Sequence, residues 1–188
     1  MADIPENAAL IIIDLQKAID HPSWGVRNNP GAEENIRRLL DHWRATSRPI
    51  VHVRHASRFP DSTYTEGQPG AEFKEEAAPL PGEPVVTKQT GNAFVGTALE
   101  ALLRSHAITE VVIAGVITNN SVESTARMAG DLGFRTIVVS DATFTFGRKD
   151  FDGRIRSADE VHAMSLANLD GEYASIQTTL DILKGNQR

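Results

Sequence analysis

The chain has 188 residues, a net charge of −6, 40% hydrophobic residues and no cysteine, which suits one globular domain over residues 1–188 and excludes disulfides and cysteine nucleophiles. It shows no basic run, no signal-peptide pattern and no apolar stretch near the roughly 20 residues that span a bilayer, so neither nucleic acid nor a membrane is expected as a partner. We expect a cytoplasmic protein that binds a small molecule.

Six short apolar runs are predicted to be strands, and the amphipathic segments between them are predicted to be helices. The predicted strands cover residues 8–13, 49–53, 84–87, 111–114, 136–139 and 175–178. The predicted helices cover residues 31–46, 97–106, 121–132 and 157–173, with a last helix around Asp181. Because strand and helix alternate, we predict an α/β fold with three layers, α/β/α, around a six-stranded, mostly parallel, Rossmann-like sheet.

A long connection, residues 55–82, separates the second and third predicted strands and is rich in proline, glycine and charged residues. A loop of this length in a compact domain is usually a lid or a binding element. Just after the second predicted strand, Arg54, His55, Arg58 and Phe59 are candidates to line a pocket for a polar or carboxylated substrate. The alternative for these residues is a solvated basic cluster.

Three polar residues stand at the ends of predicted strands: Asp14, Lys88 and, after a short turn, Ser121. Because parallel strands end at one edge of a sheet, we expect them to converge. An acid can move the proton of a nucleophile, a cation can stabilise the nucleophile as an anion, and N–H groups at a helix start can stabilise an oxyanion. The structural alternative is that each residue has an ordinary role. Asp14 would be a cap, Lys88 a solvated charge, and Ser121 and Asn120 helix caps, with Asn120 and Glu123 forming a capping box.

The histidines and glycines give no sign of a metal or nucleotide site. His52 and His55 are the pair nearest to metal-ligand spacing, but on a strand that spacing places them on opposite faces. The glycine fingerprint of dinucleotide-binding turns and the phosphate-loop lysine motif are missing. We therefore predict no cofactor, and we expect His52 to lie in the core or to support the site.

Several segments combine into one specific pattern. They are Ile-Ile-Ile-Asp-Leu-Gln at 11–16, Val-Val-Thr-Lys at 85–88, Asn-Ala-Phe-Val-Gly-Thr at 92–97, Gly-Val-Ile-Thr-Asn-Asn-Ser-Val at 115–122, Ser-Thr-Ala-Arg at 124–127, Gly-Phe at 133–134 and Val-Ser-Asp-Ala at 139–142. In this combination the chain resembles the isochorismatase-like cysteine hydrolases, from about residue 6 to about residue 183. The resemblance implies their α/β fold and hydrolysis of amides and related C–N bonds in small molecules.

By motif position, the resemblance implies catalytic roles for Asp14 and Lys88 and places Ser121 where the family has its nucleophilic cysteine. It also implies an oxyanion hole formed by the N–H groups of Ser121 and Ile117, with a cis peptide bond between Val116 and Ile117. Substrate contacts are predicted for Gln16, Arg54, His55, Phe59, Asn92 and Phe94.

Ser121 is the one serious departure from the family pattern. A thiol beside a cation and a helix start ionises readily, whereas a hydroxyl must lose its proton during attack, and Asp14 is a weak base for that step. Either the serine is an engineered replacement of a cysteine, or it is natural. We favour replacement because the surrounding segment keeps the hydrolase pattern. A natural serine would indicate an isochorismatase that cleaves a vinyl ether without a cysteine, or a catalytically silent binding protein.

The resemblance also allows predictions about metal binding and about the oligomeric state. Nicotinamidases of this family bind a metal through an aspartate and two histidines after the second strand, and residues 51–55, Val-His-Val-Arg-His, lack that pattern. We therefore predict no metal and do not expect nicotinamide as the substrate. The resemblance further implies a homodimer or homotetramer, in which a neighbouring subunit would help to order the 55–82 loop.

Overall fold

A parallel six-stranded sheet organises the chain, which a computed structural model describes over residues 4–185. Residues 1–3 and 186–188, at the ends of the predicted domain, lie outside the described part. The sheet strands are β1 Ala9–Ile13, β2 Ile50–His55, β3 Val85–Lys88, β4 Glu110–Val116, β5 Arg135–Phe144 and β8 Ser175–Gln177, and the hairpin strands are β6 Arg148–Lys149 and β7 Ile155–Arg156. The sheet order is β3-β2-β1-β4-β5-β8, with every neighbouring pair parallel. The predicted six-stranded parallel sheet is confirmed.

Within residues 4–185, five α-helices lie where helices are predicted. They are α1 Ala32–Ala45, α2 Leu99–Ser105, α3 Glu123–Asp131, α4 Ala158–Leu169 and α5 Thr179–Gly185. Helix α4 begins with a capping box between Ser157 and Glu160. It ends before the predicted residue 173, because the backbone of Asp170 is extended and no longer helical. Within residues 4–185, no helix is long and apolar enough to cross a membrane.

Strand β1 is buried on both faces, which explains its continuous apolar sequence. Its side chains alternate between two apolar clusters. Leu10 and Ile12 pack with residues of α1 and α5 on one face of the sheet. Ile11 and Ile13 pack with residues of α2, α3 and α4 on the other face. The helices thus cover both faces, and the carboxyl edge of the sheet remains for polar side chains.

The 55–82 loop folds back across the carboxyl end of β1. The backbone N–H of Lys17 donates to the carbonyl of Glu72 at 2.8 Å, and the N–H of Lys74 donates to the carbonyl of Leu15 at 3.1 Å. The Lys74 ammonium forms a further ion pair with Glu33 of α1 at 3.0 Å. These contacts fix the loop over the edge of the sheet where the candidate catalytic residues lie.

Candidate active site

Lys88 lies between Asp14 and Ser121 at the carboxyl edge of the sheet. Its Nζ is 2.6 Å from Oδ2 of Asp14 and 3.3 Å from Oγ of Ser121. Asp14 follows β1 and Lys88 ends β3, so the lysine side chain crosses the end of β2, which lies between them. All three residues are buried, with 4%, 1% and 7% of their surfaces exposed for Asp14, Lys88 and Ser121. The structure therefore brings the three predicted residues together.

The Lys88 ammonium has more neighbours than protons to donate. Besides Asp14 and Ser121, it contacts the carbonyl oxygen of Thr90 at 2.9 Å and Nδ1 of His55 at 3.4 Å. An ammonium carries three donors. The two short contacts, with Asp14 and Thr90, take two of them, and Ser121 and His55 share the third. The hydroxyl oxygen of Ser121 thus faces a buried cation whose position is fixed from several sides.

The environment shifts the protonation of two side chains at this edge. Burial raises the pKa of Asp14, and the charge and hydrogen bond of Lys88 oppose that rise only in part. Oδ1 of Asp14 is buried and has no hydrogen-bond partner among the described residues. Burial, reinforced by the Lys88 charge, lowers the pKa of His55 to about 4. His55 is therefore neutral near pH 7, and its Nδ1 accepts a hydrogen bond from the Lys88 ammonium.

The turn that carries Ser121 is a π-helical turn, Thr118–Val122, between β4 and α3. The peptide bond between Val116 and Ile117 is cis, as the resemblance implies. Ile117 precedes the turn and Ser121 lies within it, and both border the same cavity. The N–H groups predicted to form an oxyanion hole therefore belong to residues that border one cavity.

The capping alternative for this turn is wrong. Neither Asn120 nor Ser121 caps α3 with its side chain, because the π-helical turn leads into the helix directly. Glu123, the proposed partner in a capping box, instead pairs with Arg127 at 2.8 Å and accepts a hydrogen bond from Ser165 at 2.6 Å. Ser121 therefore has no structural role as a helix cap.

A cavity of about 260 Å³ opens beside the three clustered residues. The predicted site residues that line it are Asp14, His55, Phe59, Ile117 and Ser121. Phe59 comes from the 55–82 loop and is largely exposed. This loop therefore contributes a wall of the candidate site, as its length and composition indicate.

Gln16 and Arg54 do not line the cavity, although both are predicted to contact substrate. The buried Gln16 amide donates to the carbonyls of His55 at 3.0 Å and Ala71 at 2.9 Å, and it accepts from the His55 N–H at 2.8 Å. It therefore joins β1, β2 and the 55–82 loop. The Arg54 guanidinium contacts the Thr87 hydroxyl at 3.3 Å, away from the cavity.

Asn92 and Phe94 also lie outside the cavity lining. The Asn92 side chain donates to the carbonyl of Ser124 at 2.8 Å and accepts from the N–H of Phe94 at 2.9 Å. The Phe94 ring stacks on Phe134, with 6.1 Å between the ring centroids. Both residues thus fix the segment after β3 against α3 and the core.

Among the cavity residues that the sequence does not predict are two large aromatic residues, Trp24 and Tyr64. Tyr64 donates its hydroxyl to the carbonyl of Asp14 at 3.4 Å, and its ring meets Trp24 edge to face with 6.4 Å between centroids. Both lie in segments without helix or strand periodicity. The sequence signal that could have identified them is a large aromatic residue within a loop, because such a side chain tends to be buried against other parts of the fold.

The two histidines of β2 lie in different surroundings. His52 is fully buried, with Nε2 2.8 Å from Oε2 of Glu83, while His55 contacts Lys88 and Tyr64. His52 thus takes the core position that the sequence predicts. Within residues 4–185, no group of three or more His, Cys, Asp or Glu side chains is placed to hold a metal ion.

Known proteins share this fold and much of this sequence. Residues 8–180 match the family model described as the isochorismatase domain. The uncharacterized isochorismatase family protein YrdC of Bacillus subtilis is 42% identical, over 93% of this chain and 93% of its own. Maleamate amidohydrolase of Pseudomonas putida is 34% identical, over 71% of this chain and 57% of its own.

Solved structures agree with the sequence comparisons. A crystal structure of a hydrolase of the isochorismatase family from Chromobacterium violaceum superposes with a TM-score of 0.95. It is 54% identical in sequence, and the match covers 98% of this chain and 97% of the other. The two proteins are therefore similar in sequence as well as in fold.

Proposed function

Because this chain belongs to the isochorismatase family of hydrolases, we propose that it hydrolyses the C–N bond of a small amide, carbamoyl or ureido compound. The observation that carries the proposal is the cluster itself. One buried ammonium lies 2.6 Å from the Asp14 carboxylate and 3.3 Å from the Ser121 hydroxyl. A cavity of the size of a small molecule opens beside it. One similar protein is by its name an amidohydrolase.

The first chemical step joins Ser121 to the substrate carbonyl carbon. Asp14 accepts the hydroxyl proton as Oγ attacks, and the Lys88 ammonium stabilises the negative charge that develops on Oγ. The carbonyl oxygen becomes an oxyanion, which the backbone N–H groups of Ile117 and Ser121 stabilise.

The second step breaks the C–N bond. Protonated Asp14 gives its proton to the leaving nitrogen, which departs as ammonia or an amine and leaves an ester on Ser121. Water then attacks the ester while Asp14 takes a proton from the water and returns one to Ser121. Since a carboxylate is a weak base toward a hydroxyl, the first step limits the rate of the serine form.

A specific feature of Asp14 favours a second candidate function. Burial raises its pKa, and its Oδ1 atom has no partner among the described residues. A protonated Asp14 can act as a general acid toward a vinyl ether, the reaction type of isochorismatases. This reaction requires no nucleophile at position 121, so substitution of Ser121 distinguishes the two candidates.

The test compares the unmodified protein with Ser121→Ala on amides, N-carbamoyl compounds, ureides and isochorismate. We expect C–N hydrolysis by the serine protein to be slow and to disappear in Ser121→Ala. Ser105→Ala, at the exposed end of α2, is the matched control and should keep the full rate. Equal cleavage of isochorismate by both Ser121 and Ser121→Ala proteins would establish the second candidate instead. Binding without any turnover would indicate a silent binding protein.

A further inference from the structure

The cavity beside Ser121 has an aromatic wall. Trp24 stacks on Phe146 with 5.5 Å between ring centroids and meets Tyr64 at 6.4 Å, and Phe59 borders the same space. The polar atoms of the two largest rings are used inside the protein. The indole N–H of Trp24 donates to the carbonyl of Ala18 at 3.0 Å, and the Tyr64 hydroxyl donates to a backbone carbonyl. These rings therefore offer flat apolar surface to a ligand.

None of the described residues that line the same cavity offers a cation to an anionic substrate. Among the described residues that line it, Asp14 is the one acid, and His55, with its pKa near 4, is neutral at pH 7. The Lys88 ammonium is already paired with Asp14. Arg54 and Arg58, expected as partners for a carboxylated substrate, do not line the cavity.

A substrate carboxylate in this cavity would lose water without gaining a cationic partner among the described lining residues. Its charge would also lie near the Asp14 carboxylate. Burial of an unpaired charge is strongly unfavourable. Neutral polar atoms are accommodated, because Ser57, Ser62 and Asn120 border the cavity.

On the basis of the proposed function, we infer that the substrate is a neutral amide or ureide whose acyl part is flat and apolar, and that mono-amides of dicarboxylic acids are excluded. The flat part lies against Trp24 and Phe59, and the amide group lies toward Ser121. Substrate selection thus depends on residues of the loops before α1 and after β2.

The experiment measures binding to the unmodified Ser121 protein by isothermal titration calorimetry, so it does not depend on turnover. Maleamide and maleamate form a matched pair, because they have nearly the same shape and differ in one negative charge. Benzamide probes the aromatic wall. We expect maleamide and benzamide to bind at least about tenfold more tightly than maleamate, since only the anion loses a solvated charge.

Two variants test the wall itself. Trp24→Ala and Phe59→Ala should each weaken benzamide binding by about fivefold or more and affect maleamide less, because maleamide has no ring to stack. Phe59 is exposed, so its removal leaves the core intact. Leu180→Ala, at an exposed apolar residue of α5 outside the cavity lining, is the control and should change nothing.

Maleamate binding as tightly as maleamide, or no binding of either neutral amide at millimolar concentration, would overturn the inference. Unchanged benzamide affinity in both wall variants would overturn it as well. If neutral amides bind selectively but no C–N substrate is hydrolysed, the selectivity holds and the proposed function fails.

Discussion

Nζ of Lys88 lies 2.6 Å from Oδ2 of Asp14, and both side chains are almost completely buried. A buried ion pair of this kind is weak evidence for stability, because desolvation of the two charges offsets their attraction. Removal of one partner is costly, typically about 3–5 kcal/mol, since it leaves a buried charge alone. The pair is better explained by its position beside Ser121 than by its contribution to folding.

Burial and the Lys88 charge have opposite effects on the pKa of Asp14. Burial raises its pKa above the ordinary 3.8 and the Lys88 cation opposes the rise. We therefore expect the midpoint, followed by ¹³C NMR of labelled aspartate, to lie above 3.8 and to move higher in Lys88→Met. Lys17→Met removes an exposed lysine and should leave the midpoint unchanged. A downward shift in Lys88→Met would contradict this electrostatic account.

The ion pairs that fix the 55–82 loop make stability dependent on pH. Burial alone would raise the pKa of Glu33, but hydrogen bonds from Arg27 and Lys74 outweigh it and hold the pKa at about 2. A carboxyl group with a lowered pKa stabilises the fold above its unfolded value of 4.5, and this stabilisation is lost as the pH falls toward 2.

The corresponding test is urea unfolding of the unmodified protein and Glu33→Gln. We expect Glu33→Gln to be less stable by about 1–2 kcal/mol at pH 7, with the difference shrinking below about pH 4. Glu34→Gln, at an exposed neighbour paired with Arg37, should change stability little. A Glu33→Gln difference that stays constant down to about pH 2 would rule out this role.

Gly115 permits the close approach of β4 to β1. Its φ is +115°, and an added Cβ would overlap the carbonyl oxygen of Ile13 and lie 2.6 Å from its nitrogen. Gly153 also has a positive φ, +83°, but nothing lies near its Cβ position. Gly153→Ala therefore measures the cost of the backbone conformation without any steric overlap. We expect Gly115→Ala to lower the free energy of unfolding by about 3 kcal/mol or more and Gly153→Ala by about 1 kcal/mol. Equal losses would show that β1 and β4 do not require this contact.

Exposed apolar residues near α4 form a candidate interface between subunits. Phe151 in the β6–β7 turn is fully exposed, and Ile155 and Met164 are also exposed. We expect a homodimer or homotetramer that covers this surface. Light scattering at micromolar concentration should show a smaller species for Phe151→Asp and no change for Leu180→Asp, at an exposed apolar residue of α5. A monomeric unmodified protein would contradict the expectation.

The sheet and the central cluster could be predicted because their signals are local. Apolar runs mark the strands, and Asp14 and Lys88 follow from where those runs end. The resemblance adds the importance of position 121. The convergence of Asp14 and Lys88 follows from the chain order and the rule that parallel strands end at one edge of the sheet.

The cavity walls could not be predicted, because distant contacts decide where loops lie. Tyr64, for example, contacts the carbonyl of Asp14 and the ring of Trp24, both far from it in sequence. Arg54 is adjacent to the site in sequence, but its side chain leaves the strand toward Thr87. The segment after β3 matches the family pattern, yet its asparagine fixes the backbone and does not reach the cavity.

The rate of C–N hydrolysis by Ser121→Cys tests the central claim most directly. Sulfur in place of oxygen leaves Asp14, Lys88 and the backbone N–H groups unchanged and supplies a nucleophile that ionises near neutral pH. We expect kcat/KM for a neutral amide to rise about 10²-fold, or roughly 2.7 kcal/mol in barrier height, and Asp14→Asn or Lys88→Ala in the cysteine protein to remove most of that gain. No gain on any C–N substrate, or a gain that survives loss of Asp14, would contradict the account.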